Sequence, residues 1–127
     1  MVTLNFKSEE LFAIYKVANM MANADGVVYP DEERCISDEM AHLGASTLED
    51  KKNVEDNGLA MKPLVAMNII AGFNDDQKKY INAFLGNIIS IDGDIADAEL
   101  ALWRLVGELC DLPKMSVRQA INLFACR

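Results

Sequence analysis

One short pattern occurs twice in the chain, and this repeat constrains the fold more than any other feature. Residues 24–32 read Ala-Asp-Gly-Val-Val-Tyr-Pro-Asp-Glu, and residues 91–99 read Ile-Asp-Gly-Asp-Ile-Ala-Asp-Ala-Glu. Both copies share Asp-Gly, an aliphatic residue two positions after the glycine, and a final glutamate, with a shift of 67 residues (from 25 to 92). Each copy lies between two runs whose apolar residues have helical spacing. The pattern predicts a duplicated helix–loop–helix.

The similarity extends beyond the two loops. Before the second loop the apolar residues are Ile81, Phe84, Leu85 and Ile88, which match Ile14, Val17, Ala18 and Met21 at the same shift. After the loops, Glu99, Trp103, Val106 and Cys110 match Glu32, Ile36, Glu39 and Leu43. We therefore expect an internal repeat with units at about 8–44 and 75–111, inside one domain that covers 1–127.

Capping signals locate the remaining helices. We expect starts at Ser8, at Ser46 for a charged helix to about Asn57 that Gly58 then breaks, at Lys62-Pro63 for a buried apolar helix to Gly72, at Asn74, and at Ser116. No segment shows the sustained alternation of a strand. The predicted fold class is all-α, a single-domain bundle of about seven helices with an internal pseudo-twofold repeat.

Charge and composition exclude several functions. Twenty acidic residues against twelve basic ones give a net charge of −8, which disfavours nucleic acid and anionic membrane surfaces as partners. No apolar run approaches the roughly 20 residues of a membrane span, and the N-terminus lacks the pattern of a signal peptide. The three cysteines form no CxxC pair. We expect a reduced, cytoplasmic protein whose partner is another protein.

Four carboxylates at the loops are the candidate site residues. Asp25 and Asp92 end apolar stripes, while Glu32 and Glu99 begin them, so we expect all four side chains to point toward the inner side of their hairpins. Glu32 is also the third residue of a helix that starts at Pro30, where its side chain can accept the N–H of Tyr29.

These acids allow two interpretations. In one they are structural, because carboxylates satisfy free backbone groups at the ends of helices. In the other they bind a weakly held divalent cation, Ca²⁺ or Mg²⁺, which prefers oxygen ligands. The loops fit a standard EF-hand poorly, because its first ligand position would fall on Met21 in one loop and on Ile88 in the other.

The doubled Asp-Gly-x-aliphatic-x-x-x-Glu motif, each time after a helix rich in alanine or isoleucine, resembles the TerB-like family, the tellurite-resistance TerB domain. The resemblance covers about Ser8 to Phe124. It implies an all-helical pseudo-twofold bundle without catalysis, linked to stress response, in which Asp25, Glu32, Asp92 and Glu99 bind a divalent metal or contact partners. Tyr29 and Ala96 depart from the family pattern, which commonly has a capping residue there.

Other chemistry is poorly represented in the sequence. His42 is the single histidine, and with three scattered cysteines it does not indicate a zinc site. We therefore expect no enzyme and no certain cofactor. The sequence predicts a non-catalytic TerB-like domain with a cation or partner site at its acidic loops. The alternative is a helical protein-interaction adaptor whose acidic loops are purely structural caps.

Overall fold

The computed structural model describes residues 4–91 and 93–126. Within these ranges the chain forms seven helices and no strand, which confirms the all-α prediction. The helices are α1 Ser8–Ala22, α2 Pro30–His42, α3 Leu48–Ala60, α4 Pro63–Ala71, α5 Asp75–Ser90, α6 Asp97–Leu109 and α7 Val117–Ala125. In the part that the structure describes, every helix is too short or too polar to cross a membrane.

The core is built around α1 and α5, which contact each other. Helix α1 also packs against α3 and α4, whereas the most extensive partner of α5 is α7. Both central helices bury long apolar stripes, which are Ala13, Ile14, Val17, Ala18 and Met21 on α1 and Ile81, Phe84, Leu85, Ile88 and Ile89 on α5. Burial of such stripes is the main favourable term in the stability of a bundle of short helices.

Side-chain caps start three of the helices. Asn74 accepts the N–H of Gln77 at 2.8 Å, and Ser116 accepts the N–H of Gln119 at 3.1 Å, as predicted. The cap of α3 is Thr47 rather than Ser46, with its hydroxyl oxygen 3.0 Å from the N–H of Asp50.

Helix α1 begins one residue earlier than the capping prediction implies. Ser8 is the first helical residue and Lys7 occupies the cap position. The carboxylate of Glu10 accepts the N–H of Lys7 at 2.7 Å. The carboxylate of an acid in the first turn therefore satisfies a backbone N–H at the N-terminus of this helix, and the Ser8 hydroxyl does not cap it.

Two predictions about the middle of the chain are wrong. Gly58 does not break α3 but lies inside it and is buried. A Cβ at this position would lie 2.7 Å from the ring of Tyr15. The glycine thus allows α3 to approach α1 closely. Helix α4 is not buried all round, since Leu64 and Val65 are 75% and 47% exposed. Its apolar outer face is therefore open to solvent.

The repeat is visible in the boundaries of the helices. Pro30 and Asp97 start α2 and α6, and His42 and Leu109 end them, so both boundaries keep the shift of 67 residues. The turns after these helices also correspond. Ala45 donates its N–H to the carbonyl of Met40 at 2.8 Å, and Leu112 donates to the carbonyl of Gly107 at 2.9 Å. Both helices therefore end in the same Schellman-type turn.

Candidate functional site

Two of the four predicted carboxylates are buried at equivalent positions. Glu32 and Glu99 lie in the first turns of α2 and α6 and are only 2% and 3% exposed. An Oε1 atom of Glu32 accepts the N–H of Tyr29 at 3.0 Å, and that of Glu99 accepts the N–H of Ala96 at 3.2 Å. Each glutamate thus satisfies a backbone donor just before its helix begins, where the helix dipole also favours negative charge.

Asp25 does not point inward as predicted. It is exposed, and its Oδ1 atom accepts the N–H of Val27 at 3.0 Å, two residues further along the same loop. A short aspartate side chain reaches the backbone two positions on more easily than it reaches across the hairpin. Gly26 follows with a φ of +86°, which turns the chain away from the stripe of α1.

The second loop has a glycine in a similar conformation. Gly93 has a φ of +85°, close to the value at Gly26, and donates its N–H to the carbonyl of Ser90 at 3.1 Å. Asp92, the fourth predicted site residue, lies outside the described residues. The neighbouring Asp94 is exposed. The loops therefore share a glycine turn and a buried glutamate.

The described carboxylates do not assemble into a closed metal site. Among residues 4–91 and 93–126, no three His, Cys, Asp or Glu side chains are close enough together to hold a metal ion. Asp31 is exposed and forms an ion pair with Arg34 at 3.4 Å. Exposed ion pairs of this kind contribute little to the stability of the fold. Chemically, the described geometry supports helix capping in both loops.

A third buried acid, Glu39, was not among the predicted site residues. It is 2% exposed on the inner face of α2, two turns after Glu32. A signal was present, because the repeat aligns Glu39 with Val106, which is fully buried on α6. A glutamate at an apolar stripe position is itself a sign of a buried carboxylate. Helix α2 therefore carries two buried acids where α6 carries one.

The three cysteines form no disulfide with one another and lie in different surroundings. Cys35 is half-buried on α2, and the side-chain amide of Asn87 donates to its sulfur at 3.6 Å. Cys110 is fully buried and donates to the carbonyl of Met67 at 3.4 Å. Burial raises the pKa of its thiol to about 11, although the ammonium of Lys78 acts in the opposite direction. Such a thiol is a poor nucleophile at neutral pH.

One solved structure is similar to nearly the whole chain. The crystal structure of the protein of unknown function PG1108 from Porphyromonas gingivalis W83 is 35% identical in sequence, with a TM-score of 0.84. The match covers 98% of this chain and 94% of that chain. No protein-family model matches the sequence, and no curated protein does either.

Proposed function

The chain belongs to the same family as the protein of unknown function PG1108 from Porphyromonas gingivalis W83, and we propose that it is a non-catalytic helical domain that binds another protein. In this proposal the acidic loops are structural and hold the starts of α2 and α6. Together with the TerB-like resemblance, the proposal extends to a stress-related role in the cytoplasm.

The observation that carries the proposal is the same bond in both loops. Glu32 and Glu99 each accept the N–H of the residue before their helix, at 3.0 and 3.2 Å. Neither Tyr29 nor Ala96 has a short side-chain oxygen that could cap in return, so the glutamate is the main side-chain contribution to each cap. This use of the carboxylates favours the adaptor interpretation of the repeated motif.

Apolar side chains beside the loops supply the surface for a partner. Val27 and Tyr29 in the first loop and Ile95 in the second are all at least one-third exposed. In protein-interaction surfaces, apolar and aromatic residues form the centre and polar residues form the rim. With a net charge of −8 on the chain, we expect the partner to present a basic rim around an apolar centre.

A photo-crosslinking amino acid at position 27 or 95 in living cells tests the partner. We expect both positions to trap the same discrete protein, because both flank the same kind of loop. Leu48, which is 87% exposed at the start of α3, is the matched control and should not trap it. Equal trapping from Leu48, or no discrete product from either loop, would contradict the proposal.

A weak divalent-cation site at the loops is the second candidate. Each loop carries a buried glutamate, and carboxylate oxygens are ligands that hard divalent cations prefer. Titration with Ca²⁺ or Mg²⁺, followed by amide NMR shifts, separates the two functions. Saturable shifts confined to 23–33 and 90–100 would support the cation. Purely structural loops should leave the shifts and the thermal melting unchanged between EDTA and added metal.

Asparagine variants give a second test of the same question. Replacing Asp25 and Asp92 by asparagine removes charge but keeps most of the hydrogen-bond capacity. If the loops are structural, these variants should lose the same stability with and without divalent metal. A loss that appears only when metal is supplied would favour the cation over the cap.

A further inference from the structure

A cavity of about 340 Å³ lies between α5, α6 and the segment 110–116. Its inner wall includes Trp103 and Leu112, both buried, and Asn82 of α5. The volume is at the lower end of the range for small-molecule sites. We call it the α5–α6 pocket.

Asn82 leaves one polar atom of this wall without a partner. Its side chain is 5% exposed, and its amide nitrogen donates to the carbonyl of Pro113 at 2.7 Å. Its carbonyl oxygen, Oδ1, has no hydrogen-bond partner in the described parts of the chain. A buried acceptor without a donor is unfavourable by about 1–3 kcal/mol, so this atom favours a ligand that brings an N–H group.

The orientation of the Asn82 amide is fixed by its surroundings. Turning it over would place the oxygen against the carbonyl of Pro113, and two acceptors repel each other. The indole N–H of Trp103 is already used, because it donates to the backbone carbonyl of Asn82 at 3.2 Å. The unfilled hydrogen bond at this wall is therefore that of an acceptor.

The rim of the pocket carries balanced charge. Arg104 and Lys114 are exposed at the rim, together with the acids Glu108 and Asp111. The two cations form no salt bridge within the described residues, whereas Asp111 lies 3.9 Å from Lys78. Two positive and two negative groups favour a ligand that is neutral overall but carries both charges.

We propose that the α5–α6 pocket binds a free α-amino acid with an apolar side chain. The ammonium group donates to Oδ1 of Asn82, and the carboxylate faces Arg104 and Lys114. The side chain of the ligand packs on Trp103 and Leu112. Oδ1 is covered by its neighbours, so side chains of the lining must adjust as the ligand enters.

Trp103 gives a direct readout, because it is the single tryptophan of the chain. We expect saturable changes in its fluorescence on titration with L-leucine, L-methionine or L-phenylalanine. N-acetyl-L-leucine lacks the ammonium and L-leucinamide lacks the carboxylate, so both should bind at least about tenfold more weakly, the equivalent of one lost charge-assisted bond. No saturable change with any of the three amino acids up to about 20 mM would overturn the proposal.

Surface variants test the site without disturbing the core. The double variant Arg104→Gln and Lys114→Gln should raise the dissociation constant of L-leucine at least about tenfold. Arg118→Gln, at an exposed arginine of α7 outside the lining, is the matched control and should leave it unchanged. Equal affinity of the double variant and the control would overturn the role of the two cations.

NMR tests the role of Asn82 directly. The side-chain NH₂ resonances of Asn82 should shift with the same dissociation constant as the fluorescence of Trp103, while the backbone resonances of 23–33 stay in place. Binding that leaves Asn82 unchanged would overturn the assignment of the ligand ammonium. Because the loops are not involved, failure of this test does not affect the proposed partner function.

Discussion

Glu32 accepts the backbone N–H of Tyr29 at 3.0 Å, and Tyr29 offers no capping oxygen in return. Replacing Glu32 by alanine leaves that donor unsatisfied next to a buried position. We expect a loss of about 1–3 kcal/mol in the free energy of unfolding, measured by urea denaturation. Glu32→Gln keeps an accepting oxygen but removes the charge at the helix N-terminus. We expect this variant to lower the free energy of unfolding by about 0.3–1 kcal/mol.

The neighbouring Glu33 is the matched control for this prediction. It lies one residue further along α2 and is exposed, so Glu33→Ala should change stability by no more than about 0.5 kcal/mol. Glu99→Ala should behave like Glu32→Ala, because Glu99 makes the equivalent bond. Similar losses for Glu33→Ala and Glu32→Ala would show that the cap bond is not what stabilises the loop.

Gly86 provides a second prediction, about packing. A Cβ at this position of α5 would lie 2.6 Å from the Cβ of Ala120 and 3.1 Å from the ring of Trp103. Gly86→Ala therefore forces α7 and the indole away from α5, with an expected loss of about 1–3 kcal/mol. Gly107→Ala is the control, because a Cβ there meets nothing within 4 Å.

The control has an expected sign of its own. Gly107 lies inside α6 with no unusual φ, so alanine should stabilise the helix by about 0.5–1 kcal/mol. Urea denaturation of both variants measures the difference. If Gly86→Ala is as stable as the unmodified protein, α5 and α7 do not pack as closely as the structure shows.

Features that depend on neighbours in the chain could be predicted from the sequence. Asn74 with Gln77, Ser116 with Gln119, and Glu32 with Tyr29 all form within three residues. Their geometry is set by the start of a helix and needs no knowledge of the rest of the fold. The apolar stripes of α1 and α5 were predictable for a similar reason, since one helical period decides which residues share a face.

Features that depend on contacts between distant segments could not be predicted. Gly58 looked like a helix breaker because nothing local indicates that Tyr15 packs against it, 43 residues away. Asp25 sits at the end of a stripe by its spacing, yet α1 ends at Ala22 and the loop carries the aspartate outward. The α5–α6 pocket is formed across a comparable separation, by Asn82 and Pro113. Hydrophobic periodicity contains no signal for any of these.

The turns that end α2 and α6 allow a comparison at one position of the repeat. Gly44 and Asp111 are equivalent at the shift of 67 residues, with φ values of +123° and +53°. The backbone of Asp111 is in the left-handed region, where glycine is less strained than aspartate. Asp111→Gly should therefore raise the free energy of unfolding by up to about 1 kcal/mol. Its ion pair with Lys78 is long, at 3.9 Å, and the aspartate side chain is almost fully exposed, so little is lost with it.

The reverse change at the other site should be unfavourable. A φ of +123° lies outside the left-handed helical region that aspartate tolerates, so Gly44→Asp should lose about 1–3 kcal/mol. Thermal denaturation of the two variants, read at equal protein concentration, checks the opposite signs. A loss of stability in Asp111→Gly would mean that the left-handed backbone at this position does not strain the aspartate.

Tyr15 predicts how stability changes at high pH. Burial raises the pKa of its hydroxyl from 10.0 to about 12, and the carboxylates of Glu55 and Glu33 act in the same direction. The folded state thus holds the phenol proton more tightly than the unfolded state. The resulting stabilisation is fully present below pH 10 and is lost as the pH rises from 10 to about 12. Urea denaturation across this range should therefore show a decline that Tyr15→Phe reduces, because phenylalanine has no proton to release. Glu55→Gln removes one of the two nearby charges and should move the tyrosinate absorbance of Tyr15 to lower pH. An identical decline in the Tyr15→Phe variant would assign the pH dependence to another group.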